Sequence, residues 1–419
     1  MNPTENKYHV EHNKIVIFGA GKIGRSFIGQ LFYKGGYKII FVDIDPVIVD
    51  RLNKQKNYRI IFKNGKEEEI IVRNVEAILF SETINAAESV STAGILAISV
   101  GKNAIEKVIP VIAKGLILRY KHNPDCPLDI IIAENMREAG HFIKNQLIQN
   151  LPSDYPFEKM VGLVETSIGK MVPIMNSDEL EKDPLMIYAE PYNTLIVDAK
   201  GFKSPVPNIE NLLPKNNIKA WVDRKAFIHN LGHSTAAYSG HYKFPNAVYM
   251  YEVLSDKEIF NFTREVMHQS ADALKTVYKD DFTEEDLNEH IDDLLQRFCN
   301  KALKDTIYRV GHDLIRKLGY DDRFVGAIKL AKKAGKPYDK IIKAMSYGLC
   351  FDAKDANGNI FPSDLEFIKS LTENFDNAMT KYLKLDPVTD RYIIDGLKTN
   401  YDQLKIFKSR NSCKNQING

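Results

Sequence analysis

The chain has 419 residues, of which 44% are apolar and 27% charged, and its formal charge is +2. That length allows two or three domains with full cores, and the balanced charge excludes an overall basic field that would draw it to nucleic acid or anionic lipid. No apolar run approaches the roughly 18 residues needed to span a bilayer, so the expected partner is a small molecule, with no nucleic acid and no membrane.

The opening MNPTENKYHVEHN lacks an apolar stretch and is not expected to act as a secretory signal. From Lys14 the chain reads KIVIFGAGKIGRSFIGQLFYKGGYKIIFVDID. Ile15 to Phe18 is a short apolar run of the kind that forms a buried parallel strand. A glycine turn follows, and then Ile23, Phe27, Ile28 and Leu31 recur at helical spacing. Gly35-Gly36 is expected to end that helix. Tyr37 to Val42 predicts a second strand ending at Asp43, which completes a βαβ unit.

Residues 58–72 predict a hairpin with Asn64-Gly65 as its turn. GILAISVG (94–101) and LDIIIAEN (128–135) read as buried strands on either side of a helix over 104–120. This alternation implies a doubly wound sheet. KMVGLVETSIGKMVP and PLMIYAEPYNTLIVD also read as strands, so the sheet is expected to extend. The pattern turns helical from about Ile218, after Pro205, Pro207 and Pro214. The predicted architecture is therefore α/β: a Rossmann-like, doubly wound sheet domain over 1–209, then a mostly α-helical domain over 210–419. The four cysteines, Cys126, Cys299, Cys350 and Cys413, form no CxxC pair, as expected in a reducing cytoplasm.

Gly19, Ala20, Gly21, Lys22, Ile23 and Gly24 make a GxGxxG. A glycine triplet alone is weak, but this one follows a strand, opens a helix and has an acid at the next strand end. Gly19 suits the tight turn, Gly21 lets the backbone approach a diphosphate, and Gly24 lets helix and strand pack closely. The helix N-terminus offers unpaired N–H groups to phosphate. Asp43 is placed to accept hydrogen bonds from a ribose, and its charge would repel a 2′-phosphate, so the expected cofactor is NAD and not NADP. Val100 and Gly101 end a later strand on the same rim and are expected to flank that cofactor.

The stretch DRKAFIHNLGHSTAAYSGH gathers Lys225, Asn230 and His233, with His229 and His241 nearby. Three readings are open. His229 and His233 stand at i and i+4, which suits zinc, but no glutamate follows His229 and no third ligand is adjacent. The residues also suit proton transfer during alcohol oxidation. On a helical wheel Lys225 and His233 are about 80° apart and Asn230 about 60° further round. A lysine of lowered pKa can exchange the hydroxyl proton, and asparagine N–H groups can stabilise an oxygen gaining charge. The third reading is an ordinary polar helix face.

At this point the chain resembles a known family. FGAGKIGRSFIGQ, IAKGLILRYKHNPDCPLDIIIAENM, RKAFIHNLGH and VGHDLIRKLGYDDR together resemble the polyol-specific long-chain dehydrogenases (the mannitol dehydrogenase family) over nearly the whole length. The nearest likeness is to members acting on mannitol 1-phosphate. The resemblance implies a metal-free site between a Rossmann-like and a helical domain. It implies Lys225 as general acid/base, Asn230 and Asn135 polarising the reacting oxygen, and His233 binding and orienting substrate. The expected reaction is D-mannitol 1-phosphate and NAD to D-fructose 6-phosphate and NADH. Hexuronate (tagaturonate or fructuronate) reduction, or mannitol 2-dehydrogenase activity on an unphosphorylated substrate, is the alternative. Arg316, Lys317, Arg323 and Lys170 are the expected phosphate partners, and the protein is expected to be a monomer or homodimer. The chain departs from the family at Gly169-Lys170, where an Asp-Arg pair is usual, and at Ser26, where glycine is usual.

Overall fold

A computed structural model describes residues 7–63, 67–173, 175 and 177–417. The expected Asn64-Gly65 turn lies outside the described residues. The chain divides into two compact units, Met1–Val222 and Asp223–Gly419.

Among the described residues, the first unit is built on eleven strands: β1 (Glu11–Phe18), β2 (Lys38–Asp43), β3 (Asn57–Lys63), β4 (Glu67–Arg73), β5 (Val75–Leu79), β6 (Ala93–Ile98), β7 (Leu128–Ile132), β8 (Val161–Ile168), β9 (Ile187–Ala189), β10 (Leu195–Asp198) and β11 (Leu212–Lys215). Eight of them form one sheet in the order β11-β10-β8-β7-β6-β1-β2-β5. Neighbours run parallel except β10 against β8, which is antiparallel. The chain leaves β1 towards β2 on one side and later returns to its other side as β6. That reversal is the topological switch point, where open α/β sheets bind ligands beyond the carboxyl ends of their strands.

Strand side chains alternate between faces, and both faces of this sheet are covered. Ile15, Ile17, Ile39 and Phe41 join Phe27, Ile28, Leu31, Phe32, Val49 and Leu52 in one core. Val16, Phe18, Ile40 and Val42 join residues of the helices Thr83–Ser91, Ile105–His122 and Ala139–Asn150 in the other. The sheet is thus doubly wound, and burial of both faces explains why its strands read as continuous apolar runs.

The predicted hairpin is present as the antiparallel pair β3–β4, but β3 also pairs in parallel with β9. That three-stranded sheet had no local signal, because β9 lies more than a hundred residues downstream of its partner.

In the second unit Leu231–Lys243 is the central helix, and its residues 231–241 are all buried. A helix buried all round belongs in a core. Small residues let its neighbours approach: a Cβ on Gly232 would lie 2.4 Å from Met267 Sδ, in the helix Lys257–Val277. Glu284–Phe298, Arg323–Lys333, Asp339–Gly348, Pro362–Glu373 and Phe375–Leu383 supply further helices. Among the described residues no helix is long and apolar enough to cross a membrane.

Candidate active site

In the first unit the glycine turn leaves β1 at the sheet's carboxyl rim. Gly19 adopts φ +98°, and a Cβ there would meet Ser99 O at 2.4 Å. A Cβ on Gly24 would lie only 2.0 Å from Gly19 O, so helix and turn touch backbone to backbone. Gly21 differs. Nothing lies within 4 Å of its virtual Cβ, so the chain's own packing does not demand glycine there. A glycine that internal packing does not require, in a turn where its neighbours are sterically compelled, leaves a cradle for an external group. The donor set is right for a diphosphate, since backbone N–H groups open the helix beneath it. Lys22 is exposed and Ile23 partly so beside this opening.

Asp43, at the end of β2, accepts from Ala20 N at 2.5 Å and from Asp45 N at 2.9 Å. It therefore braces the turn as well as presenting a carboxylate on the rim. Val100 and Gly101 follow β6, and Gly101 N donates to Glu134 Oε1 at 2.8 Å. Burial raises the pKa of Glu134 while the Gly101 and Val100 amides oppose that rise. Asn135 is the next residue, exposed on the rim beyond β7. Gly19–Gly24, Asp43, Val100, Gly101 and Asn135 thus share one edge of the sheet.

Sequence reasoning missed Arg25, which is buried under the turn. Its Nε donates to Ala20 O at 2.7 Å and its Nη1 to Leu185 O at 2.7 Å. Its position directly after the third glycine was the signal available. Lys170, a predicted phosphate partner, is also buried here: its Nζ donates to Asn193 Oδ1 at 3.0 Å and Gln30 Oε1 at 3.3 Å.

In the second unit Lys225–Asn230 is not α-helical but π-helical, before α-helix resumes at Leu231. This changes the wheel drawn from sequence. Five residues in an α-helix turn through about 140° beyond one full turn, whereas i→i+5 bonding makes those five residues close to a single turn. Lys225 and Asn230 therefore project closer together in direction than the α-helical wheel drew them.

Burial lowers the Lys225 amine to about 8, and the charge of Arg323 lowers it further than Arg316 does, while Asp322 opposes them. Arg323 is itself buried. Its Nε meets Asp322 Oδ1 at 2.8 Å, and its Nη1 donates to Ser234 Oγ at 2.9 Å and Asn230 O at 3.4 Å. A permanent cation is thus fastened to the helix that carries Lys225 and Asn230.

His233 is buried, with its ring stacked on Phe298 at 4.4 Å and an interplanar angle of 5°. Its Nε2 lies 3.2 Å from Asp305 Oδ2, but the N–H direction is out of line, so this buried atom has no aligned hydrogen bond. Burial lowers the pKa of His233, although Asp305 opposes the shift. His229 is also buried, and its pKa is pushed well below the usual imidazole value by desolvation. Among the described residues no group of three or more His, Cys, Asp or Glu side chains is placed to hold a metal ion, so the His229–His233 pair finds no third ligand there.

Lys317 is buried with its Nζ on Val310 O at 2.7 Å, capping a carbonyl of the helix Ile307–Gly311. Arg316 is 48% exposed in its side chain and pairs with Asp313 and Asp322.

The mannitol dehydrogenase Rossmann domain model matches residues 13–211 and the mannitol dehydrogenase C-terminal domain model matches residues 217–403. Mannitol-1-phosphate 5-dehydrogenase of Streptococcus mutans is 30% identical over 394 residues, covering 93% of this chain and 99% of that protein. The protein of that name from Lactococcus lactis is 33% identical over 324 residues, covering 75% and 81%. Among solved structures, a substrate-free D-sorbitol dehydrogenase matches with TM-score 0.76 at 13% identity, over 96% of this chain and 95% of that one. Pseudomonas fluorescens mannitol 2-dehydrogenase, solved with NAD and D-mannitol, matches with TM-score 0.71 at 14% identity, over 99% and 96%. The two structures show the shared fold, and the sequence matches make the assignment: this chain belongs to the mannitol dehydrogenase family.

Proposed function

We propose that the chain is an NAD-dependent polyol-phosphate dehydrogenase that interconverts D-mannitol 1-phosphate and D-fructose 6-phosphate. The observation that carries this reading is Lys225: a lysine whose amine is lowered to about 8, one π turn from Asn230 and on the same helical run as His233. An amine of ordinary pKa would stay charged and could not accept a proton near neutrality. The relatives named mannitol-1-phosphate 5-dehydrogenase support the substrate class.

In the oxidative direction neutral Lys225 takes the hydroxyl proton from the carbon that loses hydride. In reduction its ammonium returns that proton to the ketose oxygen. Asn230 and Asn135 donate N–H groups to the oxygen as its charge grows. His233 binds a neighbouring hydroxyl and fixes the sugar's orientation. A bound nicotinamide would supply hydride acceptance or delivery. Gly19–Gly24 would hold the dinucleotide's diphosphate, Val100 and Gly101 would flank it, and Asp43 would take the ribose hydroxyls and disfavour NADP by repulsion of a 2′-phosphate.

Of the predicted phosphate partners, Arg316 has the most exposed side chain and we assign it to the substrate phosphate, which would compete for its bidentate fork with Asp313 and Asp322. Lys317 is committed to Val310 O, Arg323 to Ser234 and Asp322, and Lys170 to Asn193 and Gln30. Among the described residues Cys126, Cys299 and Cys350 form no disulfide.

The test follows NADH consumption with fructose 6-phosphate, fructose, fructuronate and tagaturonate in parallel. The proposal expects fructose 6-phosphate to give the highest kcat/KM by at least about tenfold, equivalent to 1.4 kcal/mol. A preference for a hexuronate or for free fructose overturns the phosphate assignment, and no reduction of any of the four overturns the whole reading.

A further inference from the structure

We propose that Asp305 is a positioning residue that holds His233 as its neutral, Nε2-protonated tautomer, leaving Nδ1 to accept a hydrogen bond from a substrate hydroxyl. The inference rests on the polyol dehydrogenase reading above, but one of its tests does not.

Three contacts define the arrangement. Asp305 Oδ2 lies 3.2 Å from His233 Nε2. Arg309, four residues further on in the helix Ile307–Gly311, grips both oxygens of the same carboxylate through Nε and Nη2. Phe298 stacks on the imidazole at 4.4 Å, so the ring cannot tilt freely. Asp305 is also fixed through its backbone, with its carbonyl accepting from Met250 N at 2.9 Å. An aspartate held on three sides, at the edge of one imidazole nitrogen, selects which nitrogen carries the proton, because only an N–H facing a carboxylate is favourable.

The ring's other neighbours agree. The charged and titratable groups acting on His233 are Asp305, Arg309 and Arg323 on the facing segments, and His229 on its own helix. Arg309 and Arg323 oppose a second proton on the ring, and burial opposes it more strongly. The imidazole is therefore neutral, with one donor nitrogen and one acceptor. A polyol offers hydroxyl donors, and the acceptor Nδ1 matches them. The Nε2–H···Oδ2 line is imperfect in the free chain, and such bonds tighten when substrate binds.

The first measurement is the nitrogen NMR spectrum of the intact protein labelled at histidine, with His233 assigned by its loss in His233→Ala. The proposal expects Nε2–H with no substrate present, and an Nδ1–H or doubly protonated ring overturns it even if no substrate has been found. The second is kinetic. Asp305→Asn preserves the shape but can present an N–H to Nε2 and stabilise the other tautomer. It is expected to lower kcat/KM for the ketose about 10- to 100-fold, the range found for carboxylates that orient a metal-ligating histidine, mostly through KM, with NADH affinity unchanged. In a His233→Ala background the same substitution should add less than about twofold, since residues acting as a unit are not additive. A full, additive loss in that background shows a merely structural aspartate and overturns the proposal. If Asp305→Asn does not fold, the parent spectrum still decides it. If the parent reduces none of the four ketoses while Nε2–H is observed, the functional reading fails and the positioning of His233 stands.

Discussion

Arg323 donates from Nη1 to Ser234 Oγ at 2.9 Å, which pins a permanent cation to the helix bearing Lys225. Its charge adds to burial in lowering that lysine to about 8. The pH dependence follows from the sign. Below about 8 the amine is charged and serves as the acid, and above it is neutral and serves as the base. Ketose reduction should therefore fall as pH rises through about 8, and polyol oxidation should rise over the same interval. Arg323→Gln should move both midpoints upward by about half a unit or more. Initial rates in both directions across pH 6–10 check this, and midpoints unmoved by the substitution would remove Arg323 from the account.

The same lysine carries a cost in stability. Its pKa in the folded chain is lowered from 10.5 to about 8, so the unfolded chain binds more protons between those values. The cost is complete below pH 8 and fades as pH rises to about 10.5. Lys225→Met should cut turnover by roughly 10²- to 10⁴-fold, the range of general acid–base catalysis. It should also raise Tm at pH 7, by roughly 2–4 °C for each kcal/mol relieved. Calorimetry at pH 7 and pH 10 should show the gain shrinking at the higher pH. A lower Tm at pH 7 would show that the amine is held by favourable contacts instead.

Two glycines of one turn should respond differently to alanine. Gly24→Ala places a methyl 2.0 Å from Gly19 O and must displace backbone, so it should cost about 2 kcal/mol or more and lower Tm. Gly21→Ala meets nothing within 4 Å and should fold with nearly unchanged Tm, yet weaken NADH about tenfold or more by filling the diphosphate cradle. Fluorescence titration with NADH and a melting curve on each variant separate the two effects. Unchanged NADH affinity in Gly21→Ala would place the diphosphate elsewhere.

Asp43→Asn removes the charge expected to repel a 2′-phosphate while retaining an oxygen for Ala20 N, 2.5 Å away. The ratio of kcat/KM for NADH over NADPH should fall about tenfold or more, mainly through better use of NADPH. If the parent already prefers NADPH, Asp43 has no such role.

The chain alone determined what depends on near neighbours. Apolar runs at Ile15–Phe18 and along β6 and β7 specify strands buried on both faces, the repeat of Phe27, Ile28 and Leu31 specifies the intervening helix, and a glycine triplet with an acid after the next strand specifies the rim of a doubly wound sheet. These signals are local because backbone geometry repeats every two or 3.6 residues. The spacing of Lys225, Asn230 and His233 was legible for the same reason, though the direction each one points was not. Tertiary packing decided that Lys225–Asn230 winds as a π-helix, which brings Lys225 and Asn230 closer in direction than an α-helix would. It also decided the fate of the cations: four basic residues look alike in sequence, yet Lys317 is absorbed by Val310 O and Arg323 by Ser234. Asp305 stands 72 residues beyond His233 and nothing near it announced a partner. The physical reason is common to all three. A charge or a ring nitrogen takes its pKa and its orientation from whatever groups folding brings within a few ångströms, and those groups come from segments that local periodicity does not connect.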